Sequence, residues 1–168
     1  MSLALPVISM ELSPEPSPQL SIESPYLGLL SWEPQNELMF AAGLPGFEQE
    51  RRMLPVEIPA HRPLVYLQSL ERREVCFLML PVFTIDPAFE LTLSDDERSF
   101  LLLDEILSPA IGVDVLCLAL LVPAGNTVEA NLNAIVVINL RNFRCVQTVR
   151  AGARTLRLSG EGRWEPVC

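Results

Sequence analysis

NELMFAAGLPGFEQERRMLPV, residues 36–56, is the stretch that decides the fold. Residues 37–40 have the apolar content of a short strand. Gly-Leu-Pro-Gly at 43–46 ends that strand, because glycine and proline favour tight turns. A Pro-spaced strand region follows the turn. The stretch therefore predicts two short strands separated by a tight turn, which is a local pattern of β proteins.

Apolar segments on both sides of this stretch continue the β pattern. Upstream, residues 20–32 hold short apolar runs around Gly28, which can host a turn or a bulge. Downstream, residues 62–70 and 74–80 flank a polar tip at 71–73, which is a hairpin pattern. Further strands are predicted at 83–93 with an interruption at Asp86-Pro87, at 113–122, at 134–140 and at 142–149.

One short helix is predicted over residues 95–104. Ser94 and Glu97 have the spacing of a capping box, and Asp95 and Asp96 add acids to the first turn, where the helix dipole is positive. Many short strands, one helix and frequent proline or glycine predict a mainly β protein. We expect a single antiparallel domain, barrel-like or sandwich-like, with one short helix.

The chain divides into three parts by composition. Residues 1–19 are rich in proline and serine without periodicity, which predicts a disordered extension. Residues 20–150 hold the β domain. Residues 151–168 are rich in glycine and arginine and predict a loose C-terminal strand or a tail. The start lacks the basic region of a signal peptide, and the apolar run at 115–123 is too short to span a bilayer, so a cytoplasmic protein is expected.

Charge narrows the possible partners. The net charge of −9 argues against direct binding of nucleic acid, because phosphate contacts need lysine and arginine. Residues 86–129 hold nine acids and Arg98 as their one base, whereas 130–168 hold six arginines and two acids. Such a pattern can orient a basic protein partner. Two other interpretations stay open: both regions are solvated faces, or the arginines pair with the protein's own acids.

Four acids are candidates for partner contact. Asp95 and Asp96 also satisfy the predicted helix start, which is a purely structural use. Asp104 and Glu105 fall at the predicted C-terminal end of the helix, where acids oppose the dipole. Because a residue placed against its local preference is a better candidate for function, Asp104 and Glu105 are the stronger pair.

The sequence offers little for catalysis or metal binding. His61 is the one histidine, and it lies in a Pro-flanked linker without a visible catalytic partner. The four cysteines, Cys76, Cys117, Cys145 and Cys168, show no metal-ligand spacing. We therefore expect no enzyme, no metal and no cofactor. The alternative is a small β-barrel that binds a metabolite or catalyses a minor reaction through His61 or the carboxylates near Asp104.

Four blocks follow one another along residues 20–150: Phe40 with Gly-Leu-Pro-Gly-Phe at 43–47, Leu-Gln-Ser at 67–69, residues 130–139 and residues 146–149. Together they resemble the FliW family of flagellar assembly factors. The family carries F-x-x-GLPGF(E), then L-Q-S, then ANL-x-AP-IVIN, and finally Q-V-V-L. This chain departs from the family at Ile135, where proline is usual, at Glu129, where threonine is common, and over 151–168. The matching residues are Phe40, Gly43, Leu44, Pro45, Gly46, Phe47, Gln68, Ser69, Asn131, Leu132, Asn139 and Gln147.

The resemblance implies a regulator that acts by binding proteins. Family members bind and antagonise the RNA-binding translational repressor CsrA and bind flagellin in the manner of a chaperone, which couples the flagellin level to its translation. We expect the free chain to be a monomer. The resemblance also implies that most motif residues are structural: Phe40, Leu44 and Phe47 close the end of a barrel, and Asn131 and Asn139 satisfy backbone groups around a buried strand.

Overall fold

The computed structural model describes Leu5, Ile8, Ser9 and the residues 20–150 and 154–167. Within them, the elements in chain order are β1 (Ile8–Ser9), β2 (Leu20–Ser24), β3 (Gly28–Trp32), β4 (Leu38–Phe40), β5 (Arg52–Glu57), β6 (Val65–Ser69), β7 (Cys76–Pro81), α1 (Asp95–Leu101), β8 (Val115–Ala124), β9 (Thr127–Asn139), β10 (Arg144–Val149), β11 (Thr155–Leu158) and β12 (Trp164–Pro166).

Seven of the described strands close into a barrel. Hydrogen-bonded neighbours follow the order β10–β4–β5–β6–β7–β8–β9, and β9 pairs back with β10. The pairs are antiparallel apart from β4 with β10, which is parallel. The mainly β, barrel-like fold with one short helix is thereby confirmed. The hairpin predicted around 71–73 is β6–β7, and the turn at Gly28 joins β2 to β3.

Alternating side chains of the barrel strands separate an interior from an outer surface. Leu116 and Leu118 of β8 pack inward with Val136 of β9, whereas Cys117 and Val137 point to the outside. This is the two-residue period of a strand. Because both faces are covered there, residues 115–121 of β8 and 134–138 of β9 are continuous apolar runs.

Two layers cover the outside of the barrel. The β2–β3 hairpin packs Leu30 and Trp32 against Leu54 and Val56 of β5. Helix α1 and the segment that contains it, 82–106, cover β8, β9 and β10, with Leu101 among the fully buried side chains. The domain is therefore a filled barrel with a hairpin on one flank and a helix on the other.

The helix starts where the sequence predicts and ends earlier. The hydroxyl of Ser94 accepts from the Glu97 amide at 3.2 Å, and the Glu97 carboxylate accepts from the Ser94 amide at 2.7 Å. Leu102, the C-cap, has a left-handed φ of 57°. The predicted end at residue 104 is thus wrong, and Asp104 and Glu105 follow the helix rather than end it.

The strand predicted over 83–93 is wrong. Val82–Thr84 is a 3-10 turn, in which the Thr84 hydroxyl donates to the Pro81 carbonyl at 2.6 Å. The Asp86 carboxylate accepts from the Ala88 amide at 3.1 Å. Turn hydrogen bonds therefore use the backbone groups that a strand would need. The apolar alternation comes from side chains such as Phe89 that pack into the core between the helix and the barrel, which we call the helix-side core.

Both termini add strands to the sheet. The sequence predicted no ordered residue before Leu20, yet Ile8 and Ser9 pair with β5, and Leu5 is buried. For these residues the expectation of disorder needs correction, because a strand edge supplies partners that local composition does not show. The rest of 1–19 lies outside the described residues. In the predicted C-terminal tail, β11 pairs with β9 and β12 with β11.

Candidate binding surface

The Gly-Leu-Pro-Gly-Phe loop closes one end of the barrel. Phe40 and Leu44 are buried in the interior cluster, and the half-buried ring of Phe47 packs edge-on against Phe77 with centroids 4.9 Å apart. The Phe47 amide donates to the Leu44 carbonyl at 2.7 Å, which closes a tight turn. Gly43 has a φ of 66°, a conformation that favours glycine. These contacts give the loop a packing role.

A buried carboxylate ties this loop to the tip of the β6–β7 hairpin. Glu50 has no exposed surface, and its carboxylate accepts from the Ser69 hydroxyl at 2.5 Å and from the Arg72 guanidinium. The Ser69 hydroxyl also accepts from the amides of Glu71 and Arg72, each at 3.1 Å. The amide nitrogen of Gln68 donates to carbonyls of the same hairpin, those of Arg73 and Val75 included. The two elements are therefore held as one unit.

Asparagines from the β9–β10 turn hold the C-terminal end of helix α1. The side-chain amide of Asn139 donates to the Leu101 carbonyl at 2.7 Å, and that of Asn142 donates to the same oxygen at 3.1 Å. Arg144 donates to the Phe100 carbonyl at 3.1 Å. Because the last carbonyls of a helix lack partners within it, these contacts fix the helix to the barrel.

Replacing Asn139 with leucine should lower the free energy of unfolding by about 2 kcal/mol, because it leaves the buried Leu101 carbonyl with a single donor. Asn139 is 2% exposed, whereas Asn142 is exposed and holds the same carbonyl from the solvent side. Asn142→Leu is thus the matched control, with a smaller expected loss. Urea denaturation of both variants measures the difference. A fully stable Asn139→Leu variant that had lost partner binding would make Asn139 a contact residue instead.

Asn131 and Leu132 lie at an irregularity between β8 and β9. Ala119 pairs with Ile135, but the next residue, Leu120, pairs with Asn131, so residues 132–134 bulge out. The Asn131 side chain accepts from the Asn133 amide at 2.9 Å, and Leu132 is buried in the helix-side core. The bulge thus redirects Leu132, which is a common use of such irregularities.

The arginines of the C-terminal part pair with some acids of the 86–129 region and leave others free. Arg154 lies 3.4 Å from Asp86, Arg141 lies 3.6 Å from Asp114, and Arg157 contacts Glu129 at 2.9 Å. Within the described ranges, the exposed acids that make no ion pair in this region are Glu90, Asp95, Asp96, Asp104 and Glu105. We call these five residues the acidic surface.

Asp104 and Glu105 are exposed in the loop after the helix. The Ser99 hydroxyl donates to the Asp104 carboxylate at 2.9 Å, so Asp104 has one local contact and Glu105 has no side-chain hydrogen bond to a described residue. Both residues follow the C-cap Leu102, so they do not lie in the last turn of the helix as the sequence predicted. Their candidacy rests instead on their exposure and on their lack of arginine partners.

A groove with a mixed polar and apolar lining adjoins the acidic surface at Glu90. It encloses about 320 Å³ between the segment 83–93 and the loop 107–111. Leu107 is 92% exposed at its rim and Phe83 is 43% exposed. Arg98 donates to the carbonyls of Leu103 and Ile106 and so positions the segment that leads into the loop 107–111. The groove lining comprises Phe83, Phe89, Glu90, Leu91, Leu93, Arg98, Leu107, Ser108, Pro109 and Ile111.

Comparisons with known proteins agree with this fold and these motifs. The FliW protein family matches residues 21–157. The chain belongs to the FliW family. A flagellar assembly factor FliW of Anoxybacillus flavithermus is 34% identical over 122 residues, 72% of this chain and 80% of that protein. One from Syntrophomonas wolfei is 33% identical over 78 residues, 46% of this chain and 50% of that protein.

A crystal structure of the flagellar assembly factor FliW has the same fold. It superposes with a TM-score of 0.69 at 22% identity and covers 87% of this chain and 95% of that one. Ile135 stands where the FliW family usually has proline. The core accommodates it, because Ile135 is fully buried and pairs with Ala119 and Thr148. The half-buried Gln147 of the last FliW block has an enclosed amide oxygen without a partner among the described residues.

Reactive groups in this FliW chain have ordinary structural surroundings. His61 Nδ1 lies 2.8 Å from the Tyr66 hydroxyl at an exposed position. Burial raises the pKa of Cys76 to about 11 and that of Cys117 to about 12, and it raises the pKa of Cys145 well above its usual range. These thiols are therefore protonated at neutral pH and are poor nucleophiles. Among the described residues, no cluster of side chains suits a metal ion, and no helix is long and apolar enough to cross a membrane.

Sequence reasoning missed Glu50 and the groove. Glu50 belongs to a polar Glu-Gln-Glu run that is typical of a solvent-exposed segment, and only the folded structure shows that its carboxylate is buried and pairs with the partly exposed Arg72. The sequence predicts a strand over 83–93, which forms one side of the groove, and predicts no element over 107–111, which forms the other. The one sequence signal for the groove was the density of large apolar residues there without a regular strand boundary.

Proposed function

We propose that this chain is a cytoplasmic flagellar assembly factor that works by binding proteins. In this proposal it binds and antagonises a small basic CsrA-type repressor of translation through the acidic surface. It also binds flagellin, so that the flagellin level determines how much of the chain is free for the repressor. Membership of the FliW family supports the assembly role. No catalytic step is part of the proposal.

The acidic surface carries the proposal for the repressor. Its five carboxylates are exposed and lack arginine partners among the described residues, whereas Asp86, Asp114 and Glu129 of the same sequence region form ion pairs with arginines. Uncompensated charge attracts a basic protein over a distance of about 10 Å at ordinary ionic strength and speeds its association. The groove next to Glu90 supplies contact area once the partner has arrived.

Reversing Asp104 and Glu105 together to arginine should slow association with a purified CsrA-type repressor several-fold. It should also flatten the dependence of the rate on salt, because electrostatic steering is lost. Stability should change little, since both side chains are exposed. Stopped-flow or surface-based kinetics at low and high salt measure the rates.

The matched control reverses two acids elsewhere, Glu23 and Glu165, neither of which has an ion pair to a described residue. The two double variants have the same net charge, so the control separates local steering from overall charge. Equal slowing by both would mean that only total charge matters. Unchanged kinetics in Asp104→Arg/Glu105→Arg would remove the acidic surface from the proposal.

The alternative of a metabolite-binding barrel finds no support in the barrel interior. Apolar side chains from the barrel strands fill it, among them Met53, Leu67, Met79 and Leu118 with no or almost no exposed surface. A small barrel whose interior is occupied in this way is a packed core rather than a ligand cavity.

A further inference from the structure

Strand β5 has an edge that its barrel neighbour covers only in part. β4 pairs with β5 at Met53 and Arg52, whereas β6 pairs with β5 from Met53 to Val56. On the β4 side, Val56 and Glu57 are therefore beyond the reach of β4. In the part of the chain that the structure describes, β1 pairs there, with Ile8 beside Val56 and Ser9 beside Glu57 in parallel register.

Leu5, which precedes β1, and Ile8 in β1 pack against two separate apolar clusters. Leu5 is 7% exposed and packs into the barrel-interior cluster, which includes Leu38 and Met53. Ile8 is half-buried and packs against the cluster beneath the β2–β3 hairpin, which includes Val56. The site thus holds two apolar side chains that are three residues apart in the sequence, in addition to the main-chain pairing of Ile8 and Ser9.

The contact that the described residues make lies outside the family match, which begins at residue 21. Among these residues, two residue pairs and two apolar side chains hold β1, whereas β8 and β9 share ten residue pairs. Covalent linkage keeps the segment at an effective concentration in the millimolar range, so a weak contact of this size can still keep it bound. An open strand edge without such a cover would pair with other chains.

We propose that the β5 edge is a strand-accepting site, which the chain's own N-terminal strand occupies and from which that strand can be displaced. The incoming occupant is an extended protein segment with apolar residues at positions i and i+3, bound in the parallel register of β1. Because β1 must leave first, the N-terminal segment sets the threshold for binding. This inference does not rest on the acidic surface.

The test uses the full chain and a fluorescent peptide of residues 1–12, MSLALPVISMEL. In the variant Leu5→Asp/Ile8→Asp, burial of two carboxylates is unfavourable, so the tethered strand leaves its site. Fluorescence polarisation should show at least ten-fold tighter binding of the peptide to this variant than to the unchanged chain. A peptide with the same two substitutions should not bind. Asp104→Arg/Glu105→Arg should leave peptide binding as it is in the unchanged chain.

Circular dichroism establishes that the variant is folded. Equal affinity for both chains would overturn the proposal, because the peptide would then bind elsewhere. No binding to the folded variant would overturn it too. If the double variant does not fold, Leu5→Ser takes its place, since it weakens the anchor without a charge, and a gain of at least three-fold in affinity is then expected. Its absence contradicts the proposal equally.

Discussion

Replacing Gly43 with alanine is expected to lower the free energy of unfolding by about 3 kcal/mol. A Cβ atom at this position would lie 2.4 Å from the Phe47 carbonyl oxygen and 2.9 Å from the Glu48 Cα. Both are backbone atoms of the turn and cannot move aside as a flexible side chain can. The left-handed φ of 66° adds strain for any residue with a side chain.

Gly46 in the same loop is the matched control. Its φ of 80° is equally unfavourable for alanine, but a Cβ there would meet no atom within 4 Å. Gly46→Ala should therefore cost only about 1 kcal/mol, the strain of the backbone alone. Urea denaturation of both variants gives the two free energies. Equal losses would show that the turn relaxes around the methyl group added at position 43 and that the close approach has no energetic weight.

Replacing Arg72 with methionine should be nearly as damaging, at about 3 kcal/mol. The Glu50 carboxylate has no exposed surface, and Arg72 is the cation that contacts it among the described residues. Without Arg72, the charge keeps only the Ser69 hydroxyl at 2.5 Å and the low-polarity surroundings. Methionine preserves most of the apolar stem, so the loss reports on the ion pair rather than on packing.

Two further variants make this result interpretable. Arg73→Met removes a neighbouring arginine whose partner, Glu74, is 65% exposed, and it should change stability by less than about 0.5 kcal/mol. Glu50→Gln combined with Arg72→Met should recover part of the loss, because no isolated charge remains buried. If Arg72→Met were as harmless as Arg73→Met, the Glu50 pair would have no role in stability.

Local sequence signals predicted most of the fold. The Ser94–Glu97 capping box located the helix start within one residue, and the polar tip at 71–73 identified the β6–β7 hairpin. Such signals involve residues close in sequence, so their physics can be recognised without the structure. The alternation of apolar and polar residues over 83–93 led to the wrong prediction of a strand. It has the period of a strand, although turn hydrogen bonds use the backbone groups there.

The candidate surface could be predicted only in part. The sequence located an acidic region, but it could not show that Asp86 and Asp114 are paired with arginines that lie many residues away while Asp104 is not. Pairing of this kind depends on where the barrel brings distant segments together. The same applies to β1, because Val56 and Glu57 of β5 offer it an edge only where the pairing with β4 has ended.

The dependence of helix α1 on the β9–β10 turn has a consequence for the order of folding. A helix of seven residues is not stable by itself in water, and Asn139 and Asn142 hold its last carbonyl only after their turn has formed. Substitutions at Asn139 should therefore speed unfolding and leave the refolding rate almost unchanged. Because Asp95 and Asp96 belong to this helix, we expect them to reach their positions late in folding, and a partner that binds the proposed acidic surface would then distinguish a finished chain from one still folding.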